Sequence, residues 1–246
     1  MKNENFWGAW CPFKSGSRFT SLSLEETLTG GQSFDWHPIS RLHWRGRIEQ
    51  HIFECRWHNH RAEWRCKQNK EYPEDVIKEY FCLGEDYESS LNELPWRSDS
   101  ILRECMDKLD GLRILRQPFD QTLFFFILSS AKSIPQIQAI GGAVFEKYGD
   151  QLMEGIYSFP GWKRLAKIPE KDLRSLKLGY RAKYISQTAK YIEGHPGWLE
   201  AIPQKNYQDA KNELLKLPGV GEKIADCTLL FGGNFLEAFP IDTWIE

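Results

Sequence analysis

The first ~70 residues alternate apolar and polar side chains, which is the pattern of strands that bury one face. The alternation is clearest over residues 42–48, 52–57 and 62–67, three segments that contain several tryptophan and phenylalanine residues. Aromatic side chains favour strands because they pack well on a pleated, half-buried surface. A stretch with acidic residues and helical spacing follows at 73–81. These patterns predict an antiparallel sheet with a flanking helix.

From about residue 99 onward, apolar positions recur every three or four residues, which is the period of an amphipathic helix. The segments with this spacing are residues 100–109, 118–130, 135–148, 171–178, 181–192, 207–215 and 222–231. A sheet followed by helices predicts an α+β chain. We expect an antiparallel sheet domain with flanking helices over 1–100 and a helical domain over 101–246.

Composition and charge narrow the function classes only slightly. The chain has 246 residues, 41% of them hydrophobic, and a formal net charge of −2. Residues 160–232 nevertheless carry 13 Lys and Arg against 8 Asp and Glu. A locally basic half fits a surface that binds phosphate, although a solvated helical surface would look similar.

Neither a signal peptide nor a membrane span is predicted, because no apolar run approaches ~18 residues. The longest such run, residues 123–128, is the length of a buried helix segment. We therefore expect a cytoplasmic, nucleoid-associated protein in a prokaryote or a nuclear protein in a eukaryote. The six cysteines lack regular spacing and fit reduced thiols in such a compartment.

One cysteine and histidine cluster could be taken for a zinc site. Cys55, His58, His60 and Cys66 occur within 12 residues of one another. The alternation places both cysteines on the apolar face of a hairpin and both histidines beside its polar turn. Because all four side chains would have to converge on one ion, a packed hairpin is the better interpretation, and we expect no metal.

The most informative stretch of the chain is residues 217–227, which read Leu-Pro-Gly-Val-Gly-Glu-Lys-Ile-Ala-Asp-Cys. A Pro-Gly-Val-Gly turn between two helical patterns presents backbone N–H groups at the start of the second helix. Such a helix start binds a phosphate without reading base sequence. Gly219, Val220 and Gly221 are therefore candidate DNA-binding residues.

An amine and a carboxylate accompany this turn. Lys223 lies in the first turn of the second helix, where the helix dipole disfavours a positive charge. A neutral amine there could attack a sugar carbon and form a Schiff base. Asp242 follows Pro240 and could stabilise developing positive charge or deprotonate the amine. From the hairpin alone, a phosphate contact in a non-catalytic protein is the better interpretation of Lys223, and Asp242 alone could be a helix N-cap.

Four separate blocks, in this order, resemble the helix-hairpin-helix DNA glycosylase superfamily, in its branch of 8-oxoguanine DNA glycosylase/lyases. They are Gly-Gln-Ser-Phe-Asp-Trp at 31–36, Leu-x-x-Leu-Arg-Gln at 112–117, Gly-Tyr-Arg-Ala-Lys-Tyr at 179–184 and the turn at 217–227. The resemblance implies excision of an oxidised purine from duplex DNA by base flipping, with Lys223 as the nucleophile and Asp242 as its carboxylate. It implies neither metal nor organic cofactor, and we expect a monomer.

The resemblance also implies roles for residues around the everted base. Gly31 matches a glycine whose carbonyl accepts from N7–H of 8-oxoguanine, and Cys227 matches a cysteine that packs against the base. Tyr180 matches an aromatic wedge in the vacated stack, and Arg181 matches a donor to the orphaned partner base. Without the resemblance, these would be a turn glycine, a small core residue, a core aromatic residue and an exposed helix start.

Two departures from the family pattern stand out. Ala131 occupies the position of an asparagine that probes the opposite cytosine, and Gln136 occupies the position of an arginine. Because alanine cannot hydrogen-bond a base and glutamine carries no charge, we expect relaxed discrimination of the opposite base. The family also continues through further helices after the aspartate, so the chain as given is expected to be a truncated form that lacks those C-terminal helices.

Three functions remain open on the sequence. The first is a bifunctional DNA glycosylase and β-lyase for 8-oxoguanine or a related oxidised purine. The second is a non-catalytic or truncated helix-hairpin-helix DNA-binding protein. The third is a monofunctional alkylpurine glycosylase, against which Lys223 argues.

Overall fold

The computed structural model describes residues 7–13, 17–67, 73–84 and 87–242. The chain divides into two compact units, residues 1–115 and 116–246. The sequence placed this boundary at residue 100, before helix α4 (Ser100–Lys108). Strands followed by helices confirm the predicted α+β order.

The N-terminal unit is built on an antiparallel sheet of five strands in the order β1-β5-β4-β3-β2. The strands are β1 (Cys11–Pro12), β2 (His37–Ser40), β3 (His43–Ile48), β4 (His51–His58) and β5 (Arg61–Cys66). The three strands predicted from alternation are therefore confirmed, each to within one residue. The helices of this unit are α1 (Ser21–Thr29), α2 (Glu74–Tyr80), α3 (Tyr87–Glu93) and α4.

One face of this sheet forms the core of the unit. Cys55 lies opposite Trp44 on β3 and opposite Trp64 on β5. Cys55 and Cys66 are both fully buried in this aromatic cluster, which α1 and α2 cover. The packed hairpin preferred over a zinc site is therefore confirmed. Gly46 allows the ring of Trp36 to lie on the sheet, because a Cβ there would stand 2.4 Å from that ring.

The other face of the sheet buries a carboxylate. Glu54 lies between Arg45 and Arg65 in register across β3, β4 and β5. Arg45 donates to Glu54 Oε1 at 2.6 and 2.9 Å, and Arg65 donates to Oε2 at 2.7 Å. Burial by itself would raise the pKa of Glu54, but these two guanidinium groups lower it below the usual value. Trp10 covers this cluster, with the Arg65 guanidinium 4.4 Å from its ring centre.

The C-terminal unit is a helical bundle around one apolar helix. Helix α5 (Phe119–Ser129) is buried from Gln121 to Ser129, and α12 (Glu222–Gly233) packs along it. The other elements are α6 (Ile134–Tyr148), β6 (Gln151–Met153), β7 (Ile156–Tyr157), α7 (Gly161–Leu165), α8 (Glu170–Leu173), α9 (Arg181–Gly194), α10 (Trp198–Ala201) and α11 (Tyr207–Leu214).

One predicted helix of this unit differs in the structure. Residues 171–178 were expected to form a single helix, but α8 ends at Leu173 and a wider turn follows over Arg174–Leu178. Lys177 has a φ of +66° in this turn, which an α-helix does not allow. The turn positions the chain for Gly179 and the start of α9.

We expect Glu54→Ala to lower the free energy of unfolding by about 2 kcal/mol, because the partly buried guanidinium groups of Arg45 and Arg65 lose their anion. Urea denaturation monitored by tryptophan fluorescence measures this difference. Glu104→Ala is the matched control: it breaks an exposed pair with Lys108 and should cost less than about 0.5 kcal/mol. Equal losses in the two variants would contradict a structural role for the Glu54 cluster.

Candidate active site

A helical hairpin forms the candidate site, with α11 and α12 joined by the turn at residues 215–221. Leu217 and Val220 are buried and anchor this turn, and the Val220 N–H donates to the Leu217 carbonyl at 3.1 Å. Gly221 is the N-cap residue of α12, and its carbonyl accepts from Ala225 at 2.9 Å. The first N–H groups of α12 thus lie at the end of the turn, as anion binding requires.

The two glycines of the turn have different structural requirements. Gly219 has a φ of +80°, and a Cβ there would stand 2.3 Å from the ring of Tyr184. Both the backbone conformation and this contact therefore require glycine. Gly221 is exposed, and a Cβ there would meet nothing within 4 Å. The open space beside Gly221 leaves room for a bulky anion at the start of α12.

Lys223 and Asp242 both lie close enough to Cys227 to influence its thiol. Burial raises the pKa of Cys227 to about 12, while the positive charge of Lys223 opposes this shift and the negative charges of Asp226 and Asp242 add to it. Cys227 is 4% exposed, whereas Lys223 and Asp242 are half-buried. The structure therefore gathers an amine, a carboxylate and a neutral thiol around the first turns of α12.

Lys211 on one helix and the buried Asp226 on the other form an ion pair that connects the two helices of the hairpin. The Lys211 ammonium on α11 lies 3.0 Å from Asp226 Oδ2 and 2.6 Å from Glu222 Oε2, both on α12. The Tyr207 hydroxyl donates to Asp226 Oδ1 at 2.7 Å. Burial alone would lower the pKa of Lys211, but its hydrogen bonds to Glu222, Asp226 and Tyr207 raise it above the ordinary lysine value. Lys211 is therefore charged.

Sequence reasoning missed this ion pair. Glu222 and Asp226 are four residues apart, so they lie on one face of α12. Two like charges on one face are a signal that a cation from another element is needed. The sequence did not indicate which lysine would supply it.

Tyr180 and Arg181 lie at the start of α9, beside the end of α5. The Tyr180 side chain is 49% exposed, as an intercalating wedge would require. Arg181 is only 4% exposed, donates to the Ser130 carbonyl and stacks 4.3 Å from the centre of the Tyr180 ring. Arg181 therefore supports the turn after α5 in this structure, and its predicted contact with a partner base stays a prediction.

One departure from the family pattern, Ala131, lies in that same turn, and the other, Gln136, lies in the first turn of α6. Ala131 is exposed and has a φ of +51°, a left-handed conformation that asparagine tolerates better than alanine. Gln136 is also exposed, and its side-chain oxygen accepts from the Ser133 N–H at 3.1 Å. Gln136 thus caps α6.

Gly31 belongs to the N-terminal unit, where it has a φ of +102° in the loop after α1. The side-chain amide of Gln32 holds this loop in place. Its nitrogen donates to the carbonyls of Thr27 at 3.0 Å and Arg113 at 2.8 Å, and its oxygen accepts from the Leu115 N–H at 2.9 Å. Three hydrogen bonds from the Gln32 side chain to other backbone groups therefore hold the chain beside Gly31 in place.

In the described ranges, no group of three or more histidine, cysteine, aspartate or glutamate side chains is arranged to hold a metal ion. Over the same residues, every helix is too short or too polar to pass through a lipid bilayer.

Comparisons with known proteins agree with one another. The family model described as 8-oxoguanine DNA glycosylase, N-terminal domain, matches residues 17–123. The N-glycosylase/DNA lyase OGG1 of Arabidopsis thaliana is 30% identical over 96% of this chain and 67% of its own length. The N-glycosylase/DNA lyase of Saccharomyces cerevisiae is 26% identical over 92% of this chain and 67% of its own.

Solved structures give the same result. The apo form of the Clostridium acetobutylicum 8-oxoguanine glycosylase/lyase matches with a TM-score of 0.82 and 33% identity, over 90% of this chain and 78% of that one. The same protein bound to double-stranded DNA with cytosine opposite 8-oxoguanine matches with a TM-score of 0.81.

We expect Gly219→Ala to lower the free energy of unfolding by about 2 kcal/mol or more, because the new methyl group meets the Tyr184 ring and the φ is unfavourable. Gly221→Ala, with an ordinary φ and open space, should cost less than about 1 kcal/mol. Thermal denaturation of both variants measures the difference. A Gly219→Ala variant as stable as Gly221→Ala would show that the turn is not held against Tyr184.

Proposed function

Since the chain belongs to the 8-oxoguanine DNA glycosylase/lyase family of the helix-hairpin-helix superfamily, we propose that Lys223 and Asp242 carry out the base excision and strand cleavage of that family. The protein is a bifunctional DNA glycosylase and lyase of base-excision repair that acts on oxidised purines in duplex DNA. The observation that supports the residue assignment best is that Lys223 and Asp242 share the thiol of Cys227 as a neighbour.

Binding begins at the phosphate backbone. The N–H groups at the start of α12 bind a phosphate, with Gly219, Val220 and Gly221 shaping the turn around it. These contacts do not depend on base sequence, which suits an enzyme that must examine any stretch of duplex. The target nucleotide then leaves the stack, because C1′ cannot be reached inside the helix.

Chemistry follows at C1′. The neutral amine of Lys223 forms a bond to C1′ as the C1′–N9 bond breaks, and the base leaves with the bonding electrons and takes up a proton. Asp242 stabilises the positive charge that develops on the sugar and accepts a proton from the amine. Opening of the sugar ring gives a Schiff base, and loss of the proton at C2′ then expels the 3′ phosphate.

Recognition of the base is assigned to Cys227 and to the Gly31 carbonyl. Cys227 forms part of the pocket wall as a neutral thiol, since burial and the carboxylates near it keep it protonated. The Gly31 carbonyl accepts from N7–H of 8-oxoguanine, whereas the bare N7 of guanine would leave it unpaired. Gln32 supports this selection by holding the loop rigid.

The base opposite the lesion is discriminated less strictly than the family pattern implies. Tyr180 is exposed and fills the gap left by the everted base. Ala131 has no polar side chain to offer the partner base, and Gln136 is occupied in capping α6. These features favour excision with little dependence on the base opposite the lesion.

Binding to duplex DNA follows from family membership, whereas a monomeric state and the cytoplasmic or nuclear compartment stay predictions. The chain spans about two thirds of the Arabidopsis and yeast relatives. A non-catalytic DNA-binding protein is the competing function, and it would bind the duplex without forming a covalent intermediate.

Borohydride trapping on a duplex with one 8-oxoguanine tests the assignment of Lys223. The wild-type chain should form a covalent adduct, and Lys223→Gln should reduce it below about 1% of wild type because no other amine replaces the nucleophile. Lys216→Gln is the matched control, since it removes an exposed lysine of the same hairpin. An adduct that survives Lys223→Gln would place the nucleophile elsewhere. A wild-type chain that binds duplex but forms no adduct would favour the non-catalytic alternative.

The weak dependence on the opposite base is tested by single-turnover cleavage of duplexes with 8-oxoguanine opposite C, A, G or T. We expect the four rates to agree within about threefold, because Ala131 and Gln136 make no discriminating hydrogen bond. Ala131→Asn should raise the preference for C and also suits the left-handed backbone. A strong preference for C in the wild-type chain would contradict relaxed reading.

A further inference from the structure

The ion pair between α11 and α12 includes both carboxylates that flank Lys223 on α12. Glu222 precedes Lys223 by one residue, and Asp226 follows it by three. Residues three apart on a helix are neighbours, so Asp226 is the carboxylate on α12 best placed to pair with the Lys223 ammonium. Such a pair would hold Lys223 protonated and draw it away from a substrate.

The structure directs Asp226 to other partners. Its Oδ1 accepts from the Tyr207 hydroxyl at 2.7 Å, and its Oδ2 lies 3.0 Å from the Lys211 ammonium. The Asp226 side chain is 8% exposed, so these partners replace most of its contact with water. The other flanking carboxylate, Glu222, lies 2.6 Å from the same ammonium.

Tyr207 and Lys211 are in the protonation states that this arrangement requires. Burial and the hydrogen bond to Asp226 raise the pKa of Tyr207, so it remains a neutral donor. Lys211 remains charged, with its side chain 15% exposed. Asp226 is therefore compensated from α11 and needs no cation from its own helix.

We propose that Lys211 is a positioning residue for the reaction: by occupying Asp226 from the facing helix, it prevents this carboxylate from capturing Lys223 and leaves that amine to the sugar and Asp242. Lys211 does not touch the substrate. It acts through the charge that Asp226 would otherwise direct at Lys223. This inference rests on the proposed role of Lys223 and adds a residue to it.

Other charged or titratable groups must be kept constant in a test. They are Cys227 on α12, Asp209 and Glu213 on α11, Asp120 on α5, which packs against α12, and Asp242 after it. Asp209 and Glu213 have partners of their own, since Asp209 pairs with Asn206 and Glu213 with Lys216. Variants confined to Lys211 and Asp226 leave all five groups unchanged.

The reaction to measure is single-turnover cleavage of a duplex with a preformed abasic site, because it reports the lysine chemistry without base removal. The variants are Lys211→Met, Lys211→Arg and the double variant Lys211→Met with Asp226→Asn. Lys205→Met is the matched control, since it removes a lysine that lies before α11, outside the turn, with its ammonium 3.8 Å from Glu213. Affinity for a duplex with a stable abasic-site analogue is measured alongside.

Lys211→Met should slow cleavage about tenfold at neutral pH and move the acid limb of its pH profile upward by about one pH unit, because an uncompensated Asp226 favours protonated Lys223. Affinity for the analogue should stay within about threefold of wild type, because the phosphate-binding turn is unchanged. Lys211→Arg and the double variant should restore both the rate and the profile, and Lys205→Met should leave them unchanged.

The double variant distinguishes an effect of charge on the reaction from an effect of unfolding. Because it has no uncompensated buried carboxylate, it remains informative if Lys211→Met unfolds. A double variant that stays slow at every pH would mean that Lys211 only holds the helices together, which overturns the proposal. A wild-type rate and profile in Lys211→Met would overturn it as well. A wild-type chain that binds the duplex but does not cleave it would contradict the role of Lys223, and with it the whole assignment.

Discussion

The contact between Gly219 and the ring of Tyr184 is the constraint on which the C-terminal unit depends. Because Gly219 has no Cβ, the Tyr184 ring on α9 lies directly against the turn that precedes α12. Tyr184 in turn meets Tyr180 edge-to-face at 5.8 Å. The turn proposed to bind phosphate, the start of the helix that carries Lys223 and the exposed ring of Tyr180 are therefore connected by one continuous set of contacts. A shift of the turn would affect all three, so the proposed DNA binding and the proposed chemistry share one geometric requirement.

Both units bury a carboxylate and satisfy it in the same way. Glu54 receives two guanidinium groups from the neighbouring strands, and Asp226 receives an ammonium and a hydroxyl from the facing helix. In each case the partners come from neighbouring strands or from the facing helix, so the buried carboxylate also links separate elements of the fold. A buried carboxylate without such partners would cost several kcal/mol. In the sheet the partners of Glu54 stand in register with it on the two neighbouring strands, whereas in the hairpin the partners of Asp226 come from α11 and are proposed to spare Lys223 from its charge.

The spacing of apolar residues along the chain predicted several of the strands and helices. Alternation predicted β3, β4 and β5, and helical spacing predicted α5, α6, α9, α11 and α12, because both periods follow from backbone geometry. The wide turn before Gly179 was missed, since nothing in its residue types reveals the positive φ of Lys177. The burial of Arg181 and the partners of Lys211 were missed for another reason. Each depends on residues far away in sequence, such as Ser130 for Arg181, and no pattern within one helix specifies a distant partner.

The neutral state of Cys227 has a consequence for the conditions under which the protein works. Peroxide oxidises thiolates rather than thiols. With burial raising the pKa of Cys227 to about 12, the thiol is almost entirely protonated at pH 7. The agents that oxidise guanine in DNA therefore meet a poorly reactive sulfur at this position, and the base pocket proposed around it can stay intact in a cell under oxidative stress, when oxidised guanine is most abundant.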